Sequence, residues 1–126
     1  MNGSFDAETS QLLDEIEEVH IETRRDESAP AHRTIIWVVT VDGAAFVRSV
    51  RGERGLWYRE VSANPSAALH VGNRRIPVRA VPVSGDPAVG AVSAAYRRKY
   101  ERRAPGPTRA MLRPDTLPTT LRLEPA

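Results

Sequence analysis

The amino-acid sequence predicts a mainly-β antiparallel fold with flanking helices, an α+β domain that closes into a small barrel rather than a parallel sheet. Two pairs of apolar segments are joined by two-residue turns, Asp42-Gly43 and Gly72-Asn73. Connections this short force the joined strands to pair antiparallel. No glycine-rich phosphate loop of a parallel nucleotide-binding sheet occurs. The length of 126 residues leaves room for a single domain, residues 1–126.

The N-terminal part of the chain predicts a helix followed by strands. Residues 1–18 are acidic and carry apolar residues at helical spacing, which predicts a helix capped near Asp6. From residue 19 the apolar period changes to two, so residues 19–83 are expected to supply the barrel strands. The run Thr34 to Val41, TIIWVVTV, is apolar and β-branched, which predicts one strand that is covered on both faces.

The C-terminal part predicts helices alternating with strands. Leu56 to Ala63 is expected to form a short helix, and the following long strand, which contains Pro77, is expected at a sheet edge or with a bulge. Asp86-Pro87 opens a helix over residues 86–103. Alternating leucines predict a final strand over residues 117–124.

Composition excludes several classes of function. The chain has no cysteine, which excludes disulfide scaffolds, thiolate zinc sites and thiol catalysis. Its three histidines stand singly, so we expect no metal site, and no residue pattern identifies a catalytic group. No apolar run approaches the roughly 20 residues of a membrane span, and the N-terminus lacks the features of a signal peptide. We therefore expect a cytoplasmic protein without a membrane partner.

The segment Val47 to Arg59, VRSVRGERGLWYR, is the candidate binding site. It ends a buried strand, turns through two glycines and begins a helix, so its donors are expected to converge on one mouth of the barrel. A phosphate there would accept charge-assisted hydrogen bonds, and nearby aromatic rings would pack against a planar heterocycle. The candidates are Arg48, Ser49, Arg51 and the Gly52 amide for the anion, and Trp57, Tyr58 and Trp37 for the ring.

A second interpretation of the same residues stays open. All but one of the 18 basic residues are arginine, a bias that a GC-rich genome also produces. On that interpretation the segment is a solvated arginine-rich turn, and Trp57 fills the core.

Short elements follow one another in a specific order along the chain. They are Thr23-Arg24, Arg33 ahead of the strand with Trp37, Asp42-Gly43, Arg48-Ser49 with Arg51-Gly52, Trp57-Tyr58, Ala63-Asn64-Pro65 and Val71-Gly72. From Ile21 to Val83 this order resembles the FMN-binding split β-barrel superfamily, which includes pyridoxamine-phosphate-oxidase-like proteins. More closely it resembles the deazaflavin-dependent nitroreductase branch and a related bacterial family of unknown function, whose final strand is similar to Thr119 to Pro125.

The resemblance implies a six-stranded antiparallel split barrel that forms a homodimer. It also implies a cofactor, FMN or a deazaflavin coenzyme, in the groove between the subunits, and an oxidoreductase that transfers hydride to a small acceptor such as a quinone or nitro compound. Arg48, Ser49, Arg51 and Gly52 would lie near the cofactor phosphate. Trp57, Tyr58, Arg33 and Trp37 would complete the cofactor site.

Two other functions remain as alternatives. Where deazaflavin enzymes of this kind carry a basic loop, Arg24-Arg25 is followed here by Asp26-Glu27, and carboxylates near a phosphate weaken its binding. This favours a split-barrel protein that binds a phosphorylated small molecule without turnover. A nucleic-acid binder using the arginine-rich turn and the Arg97 to Arg103 patch is the weaker alternative, because the net charge is only +2. We therefore expect a small-molecule partner and no nucleic acid.

Overall fold

The computed structural model describes residues 4–126, which form one antiparallel sheet of seven strands in the order β2-β1-β5-β6-β7-β4-β3. The strands are β1 Val19–Thr23, β2 His32–Ile36, β3 Val39–Val41, β4 Ala44–Val47, β5 Ser66–Val71, β6 Arg74–Pro82 and β7 Leu121–Pro125. The helices are α1 Ala7–Glu15, α2 Leu56–Ala63, α3 Asp86–Tyr100 and α4 Pro105–Ala110, with 3₁₀ turns at Gly52–Arg54 and Leu117–Thr119. The predicted fold class, mainly β with flanking helices, is confirmed.

The sheet curls because its two edge strands are consecutive along the chain. β2 pairs with β1, β3 pairs with β4, and only Trp37 and Val38 separate β2 from β3. A straight strand cannot lie at both edges of one sheet, so the predicted strand Thr34 to Val41 is broken at these two residues. The described residues therefore form seven strands, not six.

Both predicted hairpin turns are present. Asp42 and Gly43 have φ values of +51° and +83°, the left-handed pair that a tight two-residue turn requires. The second turn joins β5 to β6 through Gly72, whose φ is +61°. The edge position expected for the strand with Pro77 is wrong, because β6 lies between β5 and β7. Pro77 is accommodated because β7 pairs with β6 only from Val78 onward.

Three predicted boundaries differ from the structure. The first helix spans Ala7–Glu15, with Asp6 accepting a hydrogen bond from the Thr9 amide at 2.7 Å, and residues 1–3 of the predicted helix lie outside the described residues. The helix predicted over residues 86–103 ends at Tyr100. The final strand begins at Leu121 rather than at residue 117, because the Thr119 and Thr120 hydroxyls donate to the carbonyls three residues earlier and hold a 3₁₀ turn there.

Two buried clusters hold the helices on the sheet. The larger one fills the barrel and contains Leu13 of α1, Ile21 of β1 and Trp57 of α2. The second lies under α3 and contains Tyr96 and Tyr100. None of the helices formed by residues 4–126 has both the length and the apolar character that crossing a bilayer needs.

Candidate functional site

A cleft of about 450 Å³ opens where the end of β2, the end of β4 and the start of α2 meet. Its volume falls within the range of small-molecule sites, roughly 300–1,000 Å³. The lining residues are Glu18, Thr34, Ile35, Ile36, Trp37, Arg48, Ser49, Val50, Arg51, Gly55, Leu56, Trp57, Pro107 and Met111. Five of the eight sequence-predicted site residues therefore contribute to one cleft: Trp37, Arg48, Ser49, Arg51 and Trp57.

Two tryptophans form part of the cleft wall. Trp37 leaves the strand ladder between β2 and β3 and stacks on Tyr100 of α3, with ring centroids 3.9 Å apart and planes 6° apart. Tyr100 thus covers one face of the indole, and the remaining indole surface is available to the cleft. Trp57, in the first turn of α2, is almost buried and meets the edge of Tyr58 at a centroid distance of 6.2 Å. Trp37 therefore offers aromatic surface to a planar ligand, whereas Trp57, at 6% exposure, belongs mainly to the buried cluster of the barrel.

The rim of the cleft is apolar. Among the described residues, the large hydrophobic side chains that remain exposed are Ile35, Val50 and Leu56, at 58%, 45% and 49% exposure. All three line this cleft. Scattered exposed apolar residues are ordinary on a protein surface, whereas a cluster around one concave site is typical of surfaces that bind a ligand or another protein.

Arg48 and Arg51 both line the cleft, but Arg48 is buried and Arg51 is exposed. Arg48 is completely buried, and its guanidinium donates from Nε to Thr120 Oγ1 at 2.9 Å, from Nη1 to the Met111 carbonyl at 3.1 Å and from Nη2 to the Val89 carbonyl at 2.9 Å. No carboxylate of residues 4–126 pairs with it. Burial lowers the pKa of Arg48 from its ordinary value. Arg48 thus connects the end of β4 to three other segments behind the cleft. Arg51, by contrast, is exposed at the rim.

Ser49 faces the cleft with an unpaired hydroxyl. The residue is 1% exposed, and its backbone amide donates to Thr119 Oγ1 at 3.0 Å. Its hydroxyl makes no hydrogen bond with any residue from 4 to 126. A Cβ placed on Gly55 would come within 2.5 Å of this hydroxyl oxygen, so the hydroxyl lies directly against the first residue of the α2 cap. A hydroxyl that lines a cleft and has no partner among the described residues is available to a ligand atom.

The N-terminus of α2 opens at the same place. Gly55 is the N-cap residue, no side chain caps the helix, and no acid stands in its first turn. Gly55, Leu56 and Trp57 all line the cleft. Free first-turn N–H groups and the helix dipole both favour an anion at this position.

The three remaining predicted site residues lie outside the lining. Gly52 is buried with φ +66°, and a Cβ there would lie 3.1 Å from the Asp115 carbonyl oxygen, so it packs against the loop before β7. Tyr58 is half-buried behind Trp57, and Arg33 is exposed on β2. Sequence reasoning missed Ile35, Val50 and Leu56, although Val50 and Leu56 adjoin predicted site residues and Ile35 lies two positions from Arg33 and from Trp37. It also missed Met111, which the separate C-terminal segment brings in and which no local pattern indicates.

A family model described as "Uncharacterized protein conserved in bacteria (DUF2255)" matches residues 10–123. The chain belongs to the DUF2255 family. The search of curated proteins gave no match to this DUF2255 chain.

Solved structures similar to this DUF2255 protein share its fold. The heme storage protein HutZ from Vibrio cholerae has a TM-score of 0.65 at 14% identity, over 98% of this chain and 91% of its own. An F420-H2 dependent reductase (FDR-A) has a TM-score of 0.65 at 19% identity, over 85% and 93%. A putative pyridoxamine 5'-phosphate oxidase from Listeria innocua has a TM-score of 0.57 at 11% identity, over 94% and 90%. The DUF2255 chain therefore has the split-barrel fold of the superfamily that its sequence resembles.

Proposed function

We propose that the protein binds a flavin-type cofactor, FMN or a deazaflavin coenzyme, in this cleft and transfers hydride between the cofactor and a small acceptor. The observation that carries the proposal is the combination of two tryptophans with an anion-receptive helix terminus in one cleft of about 450 Å³. An F420-H2 dependent reductase and a putative pyridoxamine 5'-phosphate oxidase share the fold, which supports this choice of cofactor class.

The phosphate of the cofactor would lie between Ser49 and the start of α2. The unpaired Ser49 hydroxyl and the free first-turn N–H groups would donate to it, and Arg51 would neutralise it from the rim. Charge-assisted hydrogen bonds contribute about 1.5–3 kcal/mol each, whereas micromolar affinity needs about 8 kcal/mol. Contacts with the cofactor ring must therefore supply a substantial share of the binding free energy. Trp37, Trp57 and the apolar rim are placed to make these contacts.

A homodimer would complete the site. Ile35, Val50 and Leu56 surround the cleft mouth and stay exposed in the single chain. A second copy placed over this rim would cover all three and enclose the cofactor, as the superfamily resemblance implies. Excluding water in this way strengthens every hydrogen bond to the phosphate.

Binding without turnover is the second candidate function. Among the described residues that line the cleft, the titratable side chains are Glu18, Arg48 and Arg51, with no histidine, cysteine or tyrosine. Catalysis would therefore depend on the cofactor's own redox chemistry, with the protein binding and orienting it.

Tryptophan fluorescence provides a direct test, because both tryptophans of the chain line the cleft. We expect FMN or the deazaflavin coenzyme to quench this fluorescence saturably at micromolar concentration. Ser49→Ala should weaken binding about tenfold or more, since it removes one donor to a charged group, a bond that contributes about 1.5–3 kcal/mol. Arg59→Gln is the matched control, because Arg59 is exposed on α2 and lines neither the cleft nor the α2 cap.

Turnover separates the two candidate functions. The reduced cofactor is mixed with the protein and with a quinone or nitroaromatic acceptor, and reoxidation is followed by absorbance. Accelerated reoxidation that depends on the protein supports the oxidoreductase. Saturable binding with no acceleration for any acceptor supports the binding protein, and the absence of binding to either cofactor refutes both.

A further inference from the structure

A second cavity of about 440 Å³ continues from the cleft. It is lined by Val50, Arg51, Arg54, Arg113 and Asp115, and two of these residues, Val50 and Arg51, also line the cleft. We call this second cavity the arginine pocket. It lies between the 3₁₀ turn after β4 and the loop before β7, so a ligand leaving the cleft past Val50 would enter it.

The walls of the arginine pocket are held in place by contacts between these two loops. Arg113 Nη2 donates to the Val50 carbonyl at 3.1 Å, and Arg113 Nε donates to Asp115 Oδ1 at 3.3 Å. Gly52 packs so closely on the Asp115 backbone that a Cβ would lie 3.1 Å from its carbonyl oxygen, and its φ of +66° favours glycine. The pocket therefore exists before any ligand binds.

The charges in the arginine pocket are unbalanced. Three guanidinium groups face one carboxylate, and Asp115 is already paired with Arg113. The guanidinium groups of Arg51 and Arg54 make no hydrogen bond or ion pair with any residue of the described chain. Glu53 lies between them in sequence but does not line the pocket. Two unpaired arginines beside a paired third give a positive surface that attracts an anion.

We propose that the arginine pocket binds a second anionic group, a phosphate or carboxylate, of the ligand whose ring occupies the cleft. This inference rests on the proposed function, since the ring and the first phosphate are assigned to the cleft. It defines the ligand class more narrowly: an extended molecule with a planar ring at one end and at least two anionic groups. FMN, with one phosphate, would leave Arg54 without a partner.

The main test compares ligands that differ in their anionic groups. FMN carries one phosphate, FAD carries a diphosphate, and the deazaflavin coenzyme carries a phosphate followed by carboxylates. Binding is measured by tryptophan quenching for the wild type, for Arg54→Gln and for the control Arg59→Gln, which makes the same charge change outside both cavities. Both arginines are exposed, so both variants are expected to fold.

Arg54→Gln should weaken FAD or the deazaflavin coenzyme about five- to tenfold, a modest loss because the pair is exposed to solvent. It should change FMN affinity less than about twofold, and Arg59→Gln should change neither. Loss with FAD alone identifies a phosphate site, and loss with the deazaflavin coenzyme alone identifies a carboxylate site. If FMN binds and Arg54→Gln changes the affinity of none of the three ligands, the proposed anion site in the arginine pocket is refuted. The proposed cofactor site in the cleft is then unaffected.

Inorganic pyrophosphate tests the pocket without a ring. We expect it to shift the amide resonances of residues 50–54 in the wild type, and to do so less in Arg54→Gln. If no flavin or deazaflavin binds while pyrophosphate still gives Arg54-dependent shifts, the proposed cofactor is wrong and the anion site remains. If neither binds, both proposals fail.

Discussion

The hydroxyl of Ser49 lies against the backbone of Gly55, close enough that a Cβ on Gly55 would be 2.5 Å from the oxygen. This contact joins the end of β4 to the cap of α2. With the Ser49 hydroxyl in this position, only a residue without a side chain fits beside it, although the φ of −62° at Gly55 is open to any residue. Glycine is therefore favoured at this position because it has no side chain, and not because of an unusual backbone conformation. The space that it leaves free is part of the cleft.

Gly55→Ala should consequently destabilise the protein and weaken ligand binding, because the Ser49 hydroxyl must move from its position beside Gly55. The added methyl group overlaps a 99% buried side chain, an overpacking that costs about 1–3 kcal/mol. Removing the hydroxyl removes the overlap, because the next atom is 3.6 Å from the new Cβ. Ser49→Ala combined with Gly55→Ala should thus recover most of the lost stability. Urea denaturation of the two single variants and the double variant measures this coupling.

Gly90→Ala is the matched control for that series. Gly90 lies inside α3, and a Cβ there meets no atom within 4 Å. The substitution should stabilise the protein by up to about 1 kcal/mol, because alanine has the higher helix propensity. Equal destabilisation by both glycine substitutions would contradict the role assigned to the Ser49 contact.

Two buried tyrosines of α3 are expected to respond oppositely to loss of the hydroxyl. Within the described chain, the Tyr96 hydroxyl is buried without a hydrogen-bond partner, whereas the Tyr100 hydroxyl reaches the Glu17 and Val38 carbonyls at 2.7 and 3.2 Å. An unsatisfied buried polar group is unfavourable, and a satisfied one contributes about 1 kcal/mol. Tyr96→Phe should therefore leave stability unchanged or raise it, and Tyr100→Phe should lower it.

Thermal or urea denaturation of the two phenylalanine variants measures these changes in the free energy of unfolding. Both rings stay in place, so the stack of Tyr100 on Trp37 serves as an internal check through near-ultraviolet circular dichroism. A loss of more than about 1 kcal/mol in Tyr96→Phe would show that its hydroxyl has a partner such as ordered water.

The apolar rim yields a prediction about assembly. Leu56→Asp places a charge on the exposed surface that is proposed to contact a second copy, so the wild type should sediment as a dimer and the variant as a monomer. Ala94→Asp, on an exposed position of α3 away from the cleft, should leave the dimer intact. A wild type that sediments as a monomer at micromolar concentration would overturn the proposed dimer and leave the cleft open to solvent.

Local sequence signals predicted the parts of the site that one segment supplies. The run from Arg48 to Trp57 ends a strand, turns through glycines and starts a helix, so its placement at one end of the barrel followed from turn and helix signals alone. The burial of Arg48 could not be predicted from these local signals. Its acceptors lie on Val89, Met111 and Thr120, between 41 and 72 residues away, and no local pattern separates a buried arginine from an exposed one.

The break at Trp37 was missed for a related reason. TIIWVVTV has strong β propensity throughout, and propensity does not show where a strand must bend to close a sheet. Tertiary contacts bend this segment. Its first half pairs with β1 and its second half with β4. Tyr100, 63 positions further along the chain, stacks on the tryptophan between the two halves. The same break brings Trp37 into the cleft.

The outer face of the sheet gives a prediction about acid stability. The Arg75 guanidinium and the His70 ring, which lies 2.6 Å from Glu22 Oε1, hold the pKa of Glu22 at about 2, against an ordinary value of 4.5. The Glu22 side chain is 14% exposed and that of Arg75 is 54% exposed, so solvent partly screens the Arg75 pair and reduces its contribution to stability. Because the folded pKa is the lower one, Glu22 stabilises the fold above pH 4.5 and loses that contribution as the pH falls toward 2.

Glu22→Gln should therefore destabilise the protein near neutral pH by on the order of 2 kcal/mol and flatten its stability profile at acid pH. Urea denaturation between pH 7 and pH 3 measures both effects, and Glu101→Gln, on an exposed carboxylate without an ion pair in the described chain, is the control. The difference in unfolding free energy between wild type and Glu22→Gln should shrink as the pH falls. A difference that stays constant across this range would show that Arg75 and His70 do not favour the ionised carboxylate.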